Sequence, residues 1–216
     1  MRPLRKAFFE RPADLVAREL LGAQLTSSLG PLRLRGIITE TEAYLGRDDP
    51  ASHAYGGRRH AGNASLYGPP GTWYVYRSYG IHWCANLVCG KPGPGGAVLL
   101  RGLFPVEGVS LMRRRRRGVA DRDLTNGPGK LCQALGITLD LDGAAMWRSP
   151  VLVGVGEPES SPEMRVTPRI GITKAVDWPL RFVVAGPANA AASWSSDRSG
   201  RLGTNAGSPR RAQPAW

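Results

Sequence analysis

Apolar residues recur at helical spacing over only a few short stretches of this chain, whereas alternation with polar residues is frequent, so strands dominate the expected architecture. Residues 12–22 read as a helix: Pro12 suits its first turn, Asp14 complements the dipole, Val16 and Leu20 share a face, and Gly22 can close it. Residues 32–45 alternate and carry β-branched side chains, which predicts a strand. A loop rich in Gly, Arg and Asp follows from Gly46 to Gly71. Trp73–Tyr79 and His82–Val88 then read as two aromatic strands of a hairpin around Gly80 and Ile81. Ala97–Leu103 is a further expected strand, the stretch from Pro105 a helix with a basic end, and residues 128–135 a helix stopped by Gly136. Val151–Val155, Arg165–Thr173 and Arg181–Ala185 are expected as short late strands. The residues alone thus predict one domain of α/β or α+β type on mostly antiparallel strands, over residues 1–190. Residues 191–216, rich in Ser, Gly, Arg and Pro, are expected to be a disordered basic tail.

Charge narrows the partner. The 216 residues hold 29 Lys and Arg against 17 Asp and Glu, a net charge of +12, and nearly all of the excess is arginine. Such a field favours a polyanion, nucleic acid first and an anionic membrane surface second. No run of apolar residues is long enough to span a membrane, and the first ten residues lack a signal-peptide core, so a cytoplasmic, reducing setting is expected. Three cysteines, Cys84, Cys89 and Cys132, make no disulfide framework, and no second pair or histidine cluster completes a zinc site beside them. GPGK at 127–130 fails as a phosphate-binding loop, because Leu124 and Leu131 stand where Gly and Ser or Thr are needed. The run Arg113–Arg117 suits either phosphate contact or a solvated face.

Two constellations carry chemistry. Glu40, Glu42 and Tyr44 fall on one strand face, each about 6.6 Å from the next by strand rise, which puts a candidate general base beside an aromatic. An exposed polar strand face would look the same. The hairpin is more telling: Trp73, Tyr74, Tyr76, Tyr79 and Trp83 crowd into eleven residues. One aromatic face must pack into a core. Tyr79, beside Gly80 at the turn, has no core to enter and is placed to wedge into a base stack.

Six blocks in one order carry a resemblance: ETEAYLG at 40–46, His53, PPGTWYVYRSYG at 69–80, CAN at 84–86, AVLLRGL at 97–103 and GPGKLCQALGI at 127–137, continued by RIGI at 169–172. Together with PLRF at 179–182 they make residues 8–186 resemble the alkyladenine (3-methyladenine) DNA glycosylases of the animal-type fold. The resemblance implies an α+β fold, a single compact domain with a curved, mostly antiparallel sheet, a protruding aromatic hairpin and flanking helices. It implies removal of alkylated or deaminated purines from double-stranded DNA by a monomer that uses neither metal nor cofactor and touches no membrane. It assigns Glu42 as the base that activates water, and Arg101 as its companion. Tyr44, His53 and Tyr76 become the pocket walls, Asn86 a selective amide at the floor, and Tyr79 the plug of the vacated stack. His82-Trp83 and Leu66 depart from the family's usual residues near the pocket and hairpin, which bears on lesion range rather than on reaction class.

The chemistry is coherent with those roles. A stacked base shields its sugar C1′, and extrusion costs least for damaged or mispaired bases. An alkylated purine is a cationic leaving group, suited to an aromatic sandwich and needing little acid assistance. A module that senses distorted DNA without cutting it would share every feature except the need for Glu42 and Arg101.

Overall fold

The computed structural model describes residues 1–156 and 163–185; the expected tail at 191–216 lies outside the described residues. Helices α1 (Lys6–Phe9) and α2 (Ala13–Glu19) lead into strands β1 (Gln24–Ser27) and β2 (Leu34–Tyr44). The hairpin β3 (Trp73–Ser78) and β4 (His82–Cys89) precedes β5 (Gly96–Glu107), α3 (Val109–Arg115) and α4 (Pro128–Leu135). Strands β6 (Val151–Gly154), β7 (Met164–Thr167) and β8 (Arg181–Val184) end the described chain. All pairings are antiparallel, in the order β3-β4-β5-β2-β1-β6. Along one edge of β2, β1 pairs with residues 34–37 and β8 with residues 40–42, and β7 adds to β8. The result is an α+β domain on a curled half-barrel sheet.

Helices cover one face of this sheet. α2 follows Pro12 and buries Ala13, Val16 and Ala17. α4 starts with Pro128 and ends at Gly136, whose φ of 75° lets its N–H bond back to the Cys132 and Gln133 carbonyls. Beneath them lie Trp73, Leu87, Val98, Leu100 and Phe182, with Leu20, Met112 and Leu131 from the helical side, all without solvent contact. Thr41 joins this core by donating its hydroxyl to the Ala17 carbonyl at 2.8 Å.

Parity along β2 decides what faces away from the helices. Leu34, Gly36 and Ile38 are buried on the even positions, but Thr41 and Ala43 are the core residues further on. The register against β5 shifts between Ile38 and Glu40 and again between Glu40 and Thr41. A bulge of this kind exchanges the two faces, and it turns Glu40, Glu42 and Tyr44 together away from the helices.

Several boundaries differ from the sequence reading. Pro105–Glu107 continues β5 rather than starting a helix, since Gly36 and Arg35 pair with Pro105 and Glu107. The helix begins only after Gly108, which turns the chain with φ of 74°. The strand expected over 165–173 stops at Thr167, before Pro168, and the chain beyond runs irregularly across the pocket face. The loop 46–71 contains three 3-10 turns, and β1 was not anticipated. Tyr79 belongs to the hairpin turn: with Gly80 it has positive φ, and Ile81 N–H closes the turn onto Ser78 O at 3.0 Å.

Candidate active site

Four strands bring a second set of side chains into register on the face without helices. Tyr74 stands opposite Asn86, Tyr76 opposite Cys84, and Asn86 opposite Leu99, while Glu42 and Tyr44 stand opposite Leu99 and Ala97. Loop 46–71 and the segment after Pro168 flank a cavity of about 980 Å³ above them. Tyr44, His53, Tyr76, Asn86 and Arg101 all line it. Arg58, Arg77, Arg116, Lys130 and Lys174 also belong to its lining, so the cavity is a basic cleft with an aromatic interior. Its volume is at the upper end of small-ligand pockets, about 300–1,000 Å³.

The aromatic interior is held rigidly. Tyr74 and Tyr76 stack with centroids 5.4 Å apart, and the His53 ring meets the edge of Tyr76 at 4.5 Å. His53 Nδ1 and Tyr74 Oη are 2.7 Å apart. Buried Asn63 holds the loop from below, donating its amide to the carbonyls of His53 at 3.1 Å and Arg58 at 3.0 Å. Burial pushes the phenols of Tyr74 and Tyr76 far above their ordinary range, so both stay neutral. It also lowers His53, which favours the neutral imidazole. Asn86, which lines the cavity, donates its amide to Tyr74 O at 3.0 Å across the hairpin.

Glu42 does not itself line the cavity: it lies behind Tyr44 and Arg101, which do, with no solvent contact. One carboxylate oxygen accepts from the Tyr44 hydroxyl at 3.0 Å and from Arg101 Nη1 at 3.3 Å. The other accepts from the Ile170 backbone N–H at 2.8 Å. Burial raises the Glu42 pKa, and the lowering by Arg101, Ile170 N–H and Tyr44 does not cancel it. Glu40, one pleat away, is a different case: Arg101 Nε and Arg181 Nε both donate to it, at 2.8 and 2.7 Å. Burial would lower the Arg101 pKa, but the two carboxylates outweigh it and hold the guanidinium charged.

Of the remaining residues, Tyr79, His82, Cys84 and Arg116 also line the cleft, and the others fall outside it. Tyr79 lies at the hairpin tip, 87% exposed, next to Ile81 at 67%. The run Arg113–Arg117 is largely engaged within the fold: Arg113 pairs with Asp121, Arg115 donates to the carbonyls of Ala134 and Leu29, and Arg116 to Gln133. His60 is exposed, and so is His82, which borders the cleft. Cys84, Cys89 and Cys132 are free and buried. Among the described residues no group of three His, Cys, Asp or Glu side chains is gathered to hold a metal ion. Among the same residues no helix is long and apolar enough to cross a membrane. Asp49, Asn63 and Arg169 support the site without having been singled out in the sequence, where each reads as one more polar residue of a loop.

A neutral aromatic slot thus opens inside a basic cleft, with a buried carboxylate behind its wall and a guanidinium lining it. Residues 7–188 match the methylpurine-DNA glycosylases, and the chain belongs to that family of DNA repair enzymes. Relatives named "Putative 3-methyladenine DNA glycosylase" are similar over most of their length. The one from Granulibacter bethesdensis is 50% identical over 181 residues, covering 82% of each chain. That from Rhodopseudomonas palustris strain HaA2 is 50% identical over 188 residues, 85% of this chain and 88% of its own. That from Methanoculleus marisnigri is 48% identical over 186 residues, 85% and 95%.

Proposed function

We propose that this glycosylase extrudes an alkylated or deaminated purine from duplex DNA into the aromatic slot and hydrolyses its N-glycosidic bond with water activated by Glu42. The observation that carries the reading is the setting of Glu42: a fully buried carboxylate with raised proton affinity, hydrogen-bonded to Tyr44 and Arg101, both of which line the aromatic pocket. A carboxylate whose pKa is lifted toward working pH is a better proton acceptor than a solvated one.

In this scheme Tyr44, His53 and Tyr76 stack against the flipped base, and Asn86 screens its edge. Tyr79, displayed at the turn, fills the gap left in the duplex. The cleft's arginines and lysines hold the phosphates. Glu42 has no solvent contact, so the reaction requires a water to be admitted beside it, next to Arg101 and the half-exposed Ile170. Its proton passes to Glu42 and its hydroxyl oxygen bonds to C1′. The electrons of the broken C1′–N bond leave with the base, and an abasic site remains. A cationic alkylpurine departs neutral, so that reaction needs no separate acid. The enzyme acts as a monomer, without metal or cofactor.

The test is to incubate the protein with duplexes carrying hypoxanthine, ethenoadenine or methylated purines, then treat with hot alkali. Strand breaks at the lesion are expected, and borohydride added during turnover should trap no protein–DNA adduct. Intact strands would contradict the activity, and a stable adduct would replace water by an amine nucleophile.

A further inference from the structure

The segment after Pro168 reaches Glu42 through one backbone group, the Ile170 N–H, and Ile170 itself is half exposed. Something must hold that N–H in place. The residue before it does. Arg169 buries its guanidinium completely and forks onto Asp49, with Nη2 donating to Oδ1 at 2.9 Å and Nη1 to Oδ2. Nη1 also donates to the Ala43 carbonyl at 3.1 Å, and the guanidinium lies 4.7 Å from the Tyr44 ring centroid. Asp49 is anchored in turn by the N–H groups of Leu45 at 3.1 Å and Ala51 at 3.0 Å. The pair therefore ties two parts of the chain, the turn around Asp49 and the segment at Arg169, to the two residues that follow Glu42 on its strand: Ala43 through its carbonyl and Tyr44 through its ring. Taking two charges out of water is costly, and replacing such pairs by apolar residues is often neutral for stability. The fold could bury this corner more simply.

We infer that Arg169 and Asp49 are positioning residues for the reaction: their buried ion pair clamps the 168–171 segment so that Ile170 N–H fixes the Glu42 carboxylate and holds it ionised. The inference rests on Glu42 being the base. It makes the proton affinity of Glu42 depend on residues that touch neither carboxylate nor substrate. The other groups facing Glu42 are Arg101 from β5, Glu40 and Tyr44 from its own strand, Cys84 from β4, and Arg181 from β8 by way of Glu40. None of these is altered when Asp49 is changed.

The sign of the effect separates positioning from charge. Asp49→Asn leaves the Arg169 cation without its counter-ion, which by charge alone would lower the Glu42 pKa. Loss of the Ile170 N–H bond acts in the opposite sense and raises it.

The test is single-turnover excision of a purine lesion from duplex DNA across pH, for wild type, Glu42→Gln, Asp49→Asn and Arg169→Lys, each with a thermal melt. Wild type should show an acidic limb that Glu42→Gln lacks. With that limb present, Asp49→Asn should shift it upward by about one to two pH units, which is about 10–100-fold in rate below the limb. Arg169→Lys, which keeps the charge but loses the fork, should shift it less, in the same direction. An unmoved or lowered limb in folded Asp49→Asn overturns the clamp. So does unfolding of both variants, which would make the pair purely structural. A wild type without the Glu42-dependent limb removes the base itself, and the clamp's function with it.

Discussion

Trp73 and Tyr76 stand three residues apart on one strand and end in opposite environments. Trp73 points under the helices, fully buried, with its indole N–H donated to Ser149 Oγ and Val151 O, both at 3.2 Å. Tyr76 points to the other face, into a cluster whose members touch His53, Tyr74 and open cleft. The helix-covered face is filled by interlocking Leu, Val and Met, while the pocket face keeps its aromatics around a space. The same alternation that makes a stable strand therefore makes, on its reverse, a preformed slot for a planar guest. The main core lies on one side of the sheet, and the proposed function draws on the other.

That division can be broken experimentally. Trp73→Ala should cost about 3–5 kcal/mol, seen as a fall of roughly 6–20 °C in thermal midpoint. Whatever fraction remains folded should excise normally. Tyr76→Ala should reverse the pattern, losing one stacking wall worth about 1–3 kcal/mol, or roughly 5–150-fold in excision, with a much smaller change in midpoint. Equal losses of stability and excision in both variants would erase the distinction between the faces.

Asn86 sharpens the contrast within the pocket face. Its amide is fixed to Tyr74 O at 3.0 Å, and in the proposed pose it meets the edge where a guanine would carry its extra amino group. Asn86→Ser should raise release of guanine from G:T mismatches relative to hypoxanthine by about tenfold, since an ill-fitting buried polar group costs roughly 1–3 kcal/mol. The ratio is read by single-turnover excision. A parallel loss of both activities would mean that Asn86 only braces the hairpin.

Much of this was legible in the sequence, and for physical reasons. Alternation marked the strands, Pro12, Pro128 and Gly136 marked helix ends, and the spacing of Glu40, Glu42 and Tyr44 placed them on one face. What stayed hidden depended on long-range pairing. The bulge at residues 38–41 exists because β5 must follow β2 through a change of parity, which no local pattern announces. Pro105 looked like a helix start because Gly108, where the chain really turns, reads as an ordinary loop glycine. Arg169 lies 120 residues from Asp49, and in an arginine-rich chain nothing local distinguishes a buried arginine from a solvated one. The roles proposed for His53 and Asn86 come from the resemblance, since spacing alone assigns neither.

In the proposed mechanism the buried carboxylate of Glu42 takes the proton of the attacking water. Because burial raises its pKa, the ionised, active form should be lost on acidification at a pH above the ordinary carboxylate range, and the wild-type rate should fall through that limb. The direct measurement compares single-turnover excision and lesion-duplex binding for wild type and Glu42→Gln at a pH on the plateau. Excision should drop about 10²–10⁴-fold while binding stays near wild type, since the amide keeps the shape but accepts no proton. A Glu42→Gln enzyme that excises within about threefold of wild type would contradict it.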